Sequence, residues 1–201
     1  MAPLALTLYI MFGLLGFGWQ SWSQYRRTGS TGFRGISGRP GSVEWTAGIL
    51  FVIAMLTGIA APVTQLAGVV GPLGLLDAPW IAASGTALTV GGIAATVYAQ
   101  RQMGESWRVG VDPAESTNLV RRGPFAVVRN PIFTAMGIVA VGVALMVPNP
   151  IALIALGAYL IAVELQVRVV EEPYLNRVHG SSYVEYTSLV GRFVPLVGRS
   201  R

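Results

Sequence analysis

The residues able to do chemistry are few, and they gather in the second half of the chain. Glu164, Arg168, Glu171 and Glu172 stand at i, i+4, i+7 and i+8, a spacing that puts them on one face of an α-helix. Glu164 falls inside an apolar run, where an ionisable side chain is expensive and marks either a functional group or a structural pair with Arg168. A second cluster runs from Leu119 through Arg121, Arg122, Gly123, Phe125, Arg129 and Asn130 to Pro131. It reads as a turn followed by a helix with Pro131 in its first turn, a position proline favours. Such a helix start is either an ordinary cap or, through its free N–H groups, a cradle for an anionic group such as a carboxylate. The Gly-rich string Gly68, Gly71, Gly74 lacks the strand, spacing and following Lys-Ser/Thr of a phosphate loop and reads as an interhelical turn. The chain has no cysteine and one histidine, His179, so thiolate chemistry and a histidine-ligated metal site are excluded, and no metal is expected.

Hydrophobic residues make up 53% of the 201-residue chain and charged residues 11%. So few charges cannot solvate so much apolar surface, since soluble domains carry about 25% charged residues. Five apolar runs near 4–22, 45–66, 79–100, 131–147 and 150–170 approach the roughly 20 residues that cross a bilayer. The expected fold is therefore all-α and integral to the membrane, with about five transmembrane helices. Only Pro148, Asn149 and Pro150 join the last two, which predicts a tight antiparallel hairpin. The first run lacks a basic leader and a small-residue cleavage site, so a removable signal peptide is not expected.

The 14 basic residues are all arginine and give a net charge of +5. They are not interleaved with aromatics as a nucleic-acid surface would be, so no nucleic-acid partner is expected. Arg26 to Arg39 lie between the first two spans, Arg101 to Arg129 between the third and fourth, and the rest at or beyond the end of the fifth. Five spans thus place every arginine on one side, which the positive-inside rule makes cytoplasmic, with the N-terminus outside. Trp19, Trp22, Trp45 and Trp80 fall at span ends, as interfacial tryptophans do. The segment 29–41 reads as a flexible Gly-rich loop, and the aromatic spacing of Tyr183, Tyr186 and Phe193 as a short amphipathic helix on the membrane surface. Gly13, Gly16, Gly91 and Gly92 read as small residues that let helices pack closely. The chain divides into a three-helix membrane region, 1–100, and a second region, 101–201, containing the loop, the hairpin and a cytoplasmic C-terminal tail.

Segment 119–131 resembles the Leu-Val-x-x-Gly-x-Tyr-x-x-x-Arg-His-Pro motif of the isoprenylcysteine carboxyl methyltransferase and phospholipid methyltransferase superfamily. About 40 residues later, Glu171, Glu172 and Leu175, then Gly180, Tyr183, Tyr186, Arg192 and Pro195, are similar to that family's C-terminal signature. Gly104 and Trp107 match its Gly-x-x-Trp segment. The resemblance covers residues 100–195 and implies a membrane-embedded methyltransferase that uses S-adenosylmethionine on a lipophilic small molecule or lipid-linked acceptor. It makes 101–201 the catalytic region, with a cytoplasmic C-terminal cofactor-binding region, and implies cofactor contacts from Thr117, Asn118, Leu119, Val120, Phe125, Asn130, Pro131, Ile132, Phe133 and Glu171. Arg129, Arg168 and Glu171 become the catalytic candidates, and Trp107, Glu164 and Arg168 the substrate-side ones. Three departures stand out: Asn130 replaces the motif His, Phe125 the Tyr, and the arginine found one turn before the Glu falls at Val167, beside Arg168. An NADPH-dependent reductase of the sterol reductase type and a non-catalytic membrane protein are the alternatives. Membrane lipids are the expected surroundings, in the plasma membrane, and the oligomeric state is not legible.

Overall fold

The computed structural model describes residues 1–111 and 118–200, and they are helical with no strand beyond two isolated bridges. Thr117, expected to touch a cofactor, lies outside the described residues. Helix α1 spans Ala2–Thr28, α2 Val43–Leu66, α3 Pro79–Met103, α4 Pro131–Met146, α5 Pro150–His179 and α6 Ser181–Leu189.

Four helices, α1, α2, α3 with its 3-10 extension to Ser106, and α5, are long and apolar enough to cross a membrane. The fifth expected span, α4, has only 16 residues. At 1.5 Å per residue it covers about 24 Å, less than a hydrocarbon core of about 30 Å. The short helix follows from where its turn lies. Asn149 is fully buried, its side chain caps α5 at Ala152, and its amide donates to the Ala61 carbonyl at 3.1 Å and to Gln65 at 2.9 Å. The 67–78 connection crosses above, where Leu73 donates to the Pro148 carbonyl. The turn is therefore an interior feature, and α4 has no need to reach the surface.

The α4–α5 hairpin forms as expected, but each helix packs mainly elsewhere, α4 along α3 and α5 along α2. Glycine permits the first contact. A Cβ on Gly85 would lie 2.6 Å from the Gly142 carbonyl oxygen, and one on Gly92 would lie 2.8 Å from the Val139 side chain. Without a hydrophobic driving force between membrane helices, close backbone approach of this kind supplies much of the attraction. Gly92 thus plays the expected role, whereas Gly13 and Gly91 face open space. Gly85 and Gly142 make the close contact instead.

Two long helices contain π turns, Leu14–Trp19 in α1 and Gln166–Glu171 in α5. A π turn adds a residue to one turn and rotates everything after it. In α5 this breaks the common face expected for Glu164, Arg168, Glu171 and Glu172.

Candidate active site

A cavity of about 510 Å³ opens where α1, α2, α3, α4 and α5 converge. Its polar end is built from the two motif segments. A 3-10 turn at Gly123–Ala126, entered through Gly123 at φ +61°, buries the Phe125 ring. The chain then runs beside the C-terminal tail in a short parallel bridge, Val128 with Gly191, before Pro131 starts α4. Arg129 and Asn130 donate backbone N–H bonds to Gly191 and Arg192 at 2.8 and 3.1 Å. The Asn130 side chain does not cap α4; its amide donates to the Arg192 carbonyl at 3.2 Å. Asn118, Leu119, Val120, Phe125, Asn130, Pro131, Ile132, Phe133 and Glu171 all line this cavity, as do Trp107 and Arg129.

The adjacent glutamates separate. Glu172 turns away from the cavity and binds two guanidiniums: Arg129 donates at 2.8 Å, and Arg192 donates through Nε and Nη2 at 2.7 and 2.9 Å. The Glu172 carboxylate in turn holds the Arg192 guanidinium above its usual pKa. Arg129, 6% exposed, also donates to the carbonyls of Thr187, Val190 and Gly198. Its guanidinium is thus committed to holding the C-terminal tail in place. Glu171 lines the cavity and has no ion-pair partner among the described residues; the Gln166 side chain, five positions earlier on the π turn, hydrogen-bonds it. Glu171 is also the one carboxylate among the described lining residues.

Arg168 and Glu164 are not brought to this site. They pair with each other, one turn apart, with side chains 58% and 46% exposed. Of the alternatives open for Glu164, the structure shows the structural pair. Val167, at the position of the family's arginine, is fully buried.

Several wall residues were not among the expected site residues. Tyr183 and Tyr186 come from α6, which packs both tyrosines onto the cavity. The Tyr186 hydroxyl donates to the Phe125 carbonyl at 2.5 Å, and burial pushes its pKa up to about 12. The apolar end comes from the first two helices, with Phe12 and Phe17 of α1 facing Phe51 and Met55 of α2. Val52 and Leu56 line the cavity yet are 44% and 63% exposed, so the apolar end reaches the outer face of the bundle there. Gln100 contributes from α3, its amide donating to the Gly16 carbonyl on the π turn of α1 at 2.8 Å.

The 29–41 segment lies as a strap along the segment after Trp107. Gly29, Gly32, Gly35, Gly38 and Gly41 recur every third residue, all at φ between +75° and +86°. The strap pairs with the segment after Trp107: Arg34 N–H donates to Val109 at 2.9 Å and Val109 N–H to Gly32 at 2.8 Å. Gly32 rests on the Trp107 ring, and Phe33 and Ile36 reach the cavity.

This is a helical membrane protein whose cavity joins a polar end at Glu171 to an apolar end between α1 and α2. Residues 80–182, just over half the chain, match the phospholipid methyltransferase family, and the protein belongs to that family of membrane methyltransferases. No curated protein matches the chain.

Proposed function

We propose that the protein is an S-adenosylmethionine-dependent methyltransferase that modifies a lipophilic small molecule or lipid-linked acceptor at the cytoplasmic face of the plasma membrane. The observation that carries this reading is the shared cavity. Segments 118–133 and Glu171, about 40 residues apart, line one space with an apolar extension toward the outer face of the bundle. Membership of the methyltransferase family supports the reaction class. The sidedness of the arginines supports a cytoplasmic polar end.

The donor set suits the cofactor. Glu171 offers an unpaired carboxylate to its cationic part, Asn118 and the 118–120 backbone offer polar contacts, and Phe125 and Phe133 offer ring faces. The volume falls in the range of about 300–1,000 Å³ typical of small-molecule sites. S-adenosylmethionine would supply an electrophilic methyl on a sulfonium. The acceptor's nucleophilic lone pair forms the new bond to that carbon while the carbon–sulfur pair returns to sulfur, and an acceptor proton leaves to solvent. The protein's task is alignment and exclusion of water, worth up to about 7–11 kcal/mol in well-oriented reactions. In this reading Glu171 orients the cofactor and Trp107 under the strap covers it. The acceptor's apolar tail enters past Val52 and Leu56. Arg129 positions the wall through Glu172 and does not meet the acceptor directly. Arg168 and Glu164 are left out of the site. The reductase alternative is not favoured, because the family that the chain matches is one of methyltransferases.

The test is binding of tritiated S-adenosylmethionine to the protein in nanodiscs, with NADPH in parallel. Uptake that is lost in Glu171→Ala and weakened in Asn130→Ala is the expected result. Uptake indifferent to both substitutions, or uptake of NADPH alone, would overturn the assignment.

A further inference from the structure

Two tyrosines of α6 lie three residues apart with ring centroids 6.2 Å from each other, yet their hydroxyls are used differently. Tyr186 donates to the Phe125 carbonyl and thereby fixes the motif turn. Tyr183 is only 5% exposed and lines the cavity, and among the described residues its hydroxyl has no hydrogen-bond partner. A hydroxyl on a cavity wall that no protein group engages is placed to meet a ligand there, as donor or as acceptor. The surroundings indicate which ligand. The Tyr183 hydroxyl lies in the field of Glu172, Arg129 and Glu171, and the first two are bound to each other in an ion pair apart from the cavity's own carboxylate. What remains toward the cavity is the Glu171 carboxylate, which can only accept, and a phenol oxygen, which can both donate and accept.

We propose that Tyr183 is a ligand-binding residue of this cavity, its oxygen accepting one N–H of a primary ammonium group whose charge is met by Glu171. Two acceptors, one of them charged, match a group with several N–H donors and a positive charge. Burial and then the neighbouring Glu172 carboxylate hold the Tyr183 hydroxyl well above its ordinary pKa, so it stays protonated and places no second anion beside Glu171. The inference rests on the methyltransferase reading, which offers two sources of such a group: the amino-acid end of the cofactor, or the aminoethyl headgroup of a phospholipid acceptor.

Tyr183→Phe removes the hydroxyl and keeps the ring, and three probes in nanodiscs separate the cases. S-adenosylhomocysteine carries the ammonium, 5′-methylthioadenosine is the same nucleoside thioether without the amino-acid part, and dioleoylphosphatidylethanolamine is the lipid amine. If the cofactor is the source, the substitution weakens S-adenosylhomocysteine about tenfold in titration calorimetry and leaves 5′-methylthioadenosine unchanged, as expected for loss of one hydrogen bond to a charged group. If the lipid is the source, S-adenosylhomocysteine binding holds, while the KM for labelled methyl transfer to dioleoylphosphatidylethanolamine rises by about the same factor. A variant equal to wild type with all three probes overturns the proposal, as does one that loses both nucleosides equally. Tyr186→Phe supplies the contrast, because losing its bond to Phe125 loosens the wall and weakens both nucleosides together. Wild-type protein that takes up neither nucleoside and methylates no lipid overturns the methyltransferase reading as well.

Discussion

Arg129 and Glu172 meet at 2.8 Å across 43 residues of sequence, and this contact locks the motif turn to the end of α5. The Arg129 side chain is 2% exposed and that of Glu172 20%, so the pair is largely withdrawn from water. Without Arg129, Glu172 keeps Arg192, but the carbonyls of Thr187, Val190 and Gly198 lose their donor, at about 1–3 kcal/mol for each buried group left unsatisfied. Arg129→Gln is therefore expected to lower stability by several kcal/mol, measured by denaturant titration in detergent micelles. A change under about 1 kcal/mol would mean that Arg192 alone satisfies Glu172 and that Arg129 is not the clasp.

The neighbouring glutamates should respond in opposite ways. Glu171→Gln keeps the shape and touches no ion pair, so unfolding should shift little while S-adenosylmethionine binding falls at least tenfold, the usual loss when a charged contact is cut. Glu172→Gln strands two guanidiniums and should cost stability first, with binding lost only as the wall loosens. Paired unfolding and calorimetry curves on both variants check the contrast. Equal effects on both quantities would remove the division of labour between the two residues.

The site was legible where its signals were local. Phe125, Asn130 and Pro131 belong to one turn and one helix start, and Glu171 to a motif of fixed spacing, so the family resemblance could carry them over position by position to what is one cavity wall. Arg168 and Glu164 went astray for a geometric reason. A face drawn at 3.6 residues per turn assumes an unbroken α-helix, and the π turn at Gln166–Glu171 rotates Glu171 away from them. Phe12, Phe51 and Met55 were invisible because an apolar residue lining a cavity and one facing lipid have the same composition. The strap did leave a trace, five glycines at a period of three, but their meaning lies in backbone angles that composition does not encode. The shortness of α4 also depended on a long-range fact, the burial of its turn under the 67–78 connection.

The α3–α4 contact gives a third prediction. A Cβ on Gly142 would stand 2.4 Å from the Thr89 hydroxyl oxygen and 2.7 Å from the Gly85 carbonyl oxygen. Two backbones would have to part, at about 1–3 kcal/mol for overpacking of this kind. Gly142→Ala should therefore unfold earlier in a detergent melt. Gly91→Ala, in open space on α3, should hold or gain up to about 1 kcal/mol from helix propensity. Similar melts for the two variants would remove close backbone approach as the basis of the α3–α4 contact.

The strap offers the most direct test of access, because the chain contains no cysteine and a single one can serve as a reporter. Gly110 sits at φ +85°, and a Cβ there would lie 2.6 Å from the Gly35 carbonyl oxygen. Gly110→Ala therefore meets both the left-handed backbone penalty, about 1–2 kcal/mol, and a collision with the strap. Gly29 has a similar φ of +75° but open space, so Gly29→Ala meets the backbone penalty alone. With Met103→Cys lining the cavity, a water-soluble maleimide should label the Gly110→Ala protein several-fold faster than its parent. The Gly29→Ala protein should stay close to the parent rate. Both variants labelling at the parent rate would show that the cysteine is reached without parting the strap from the Val109 segment. The route to the polar end would then have to lie elsewhere on the cavity wall.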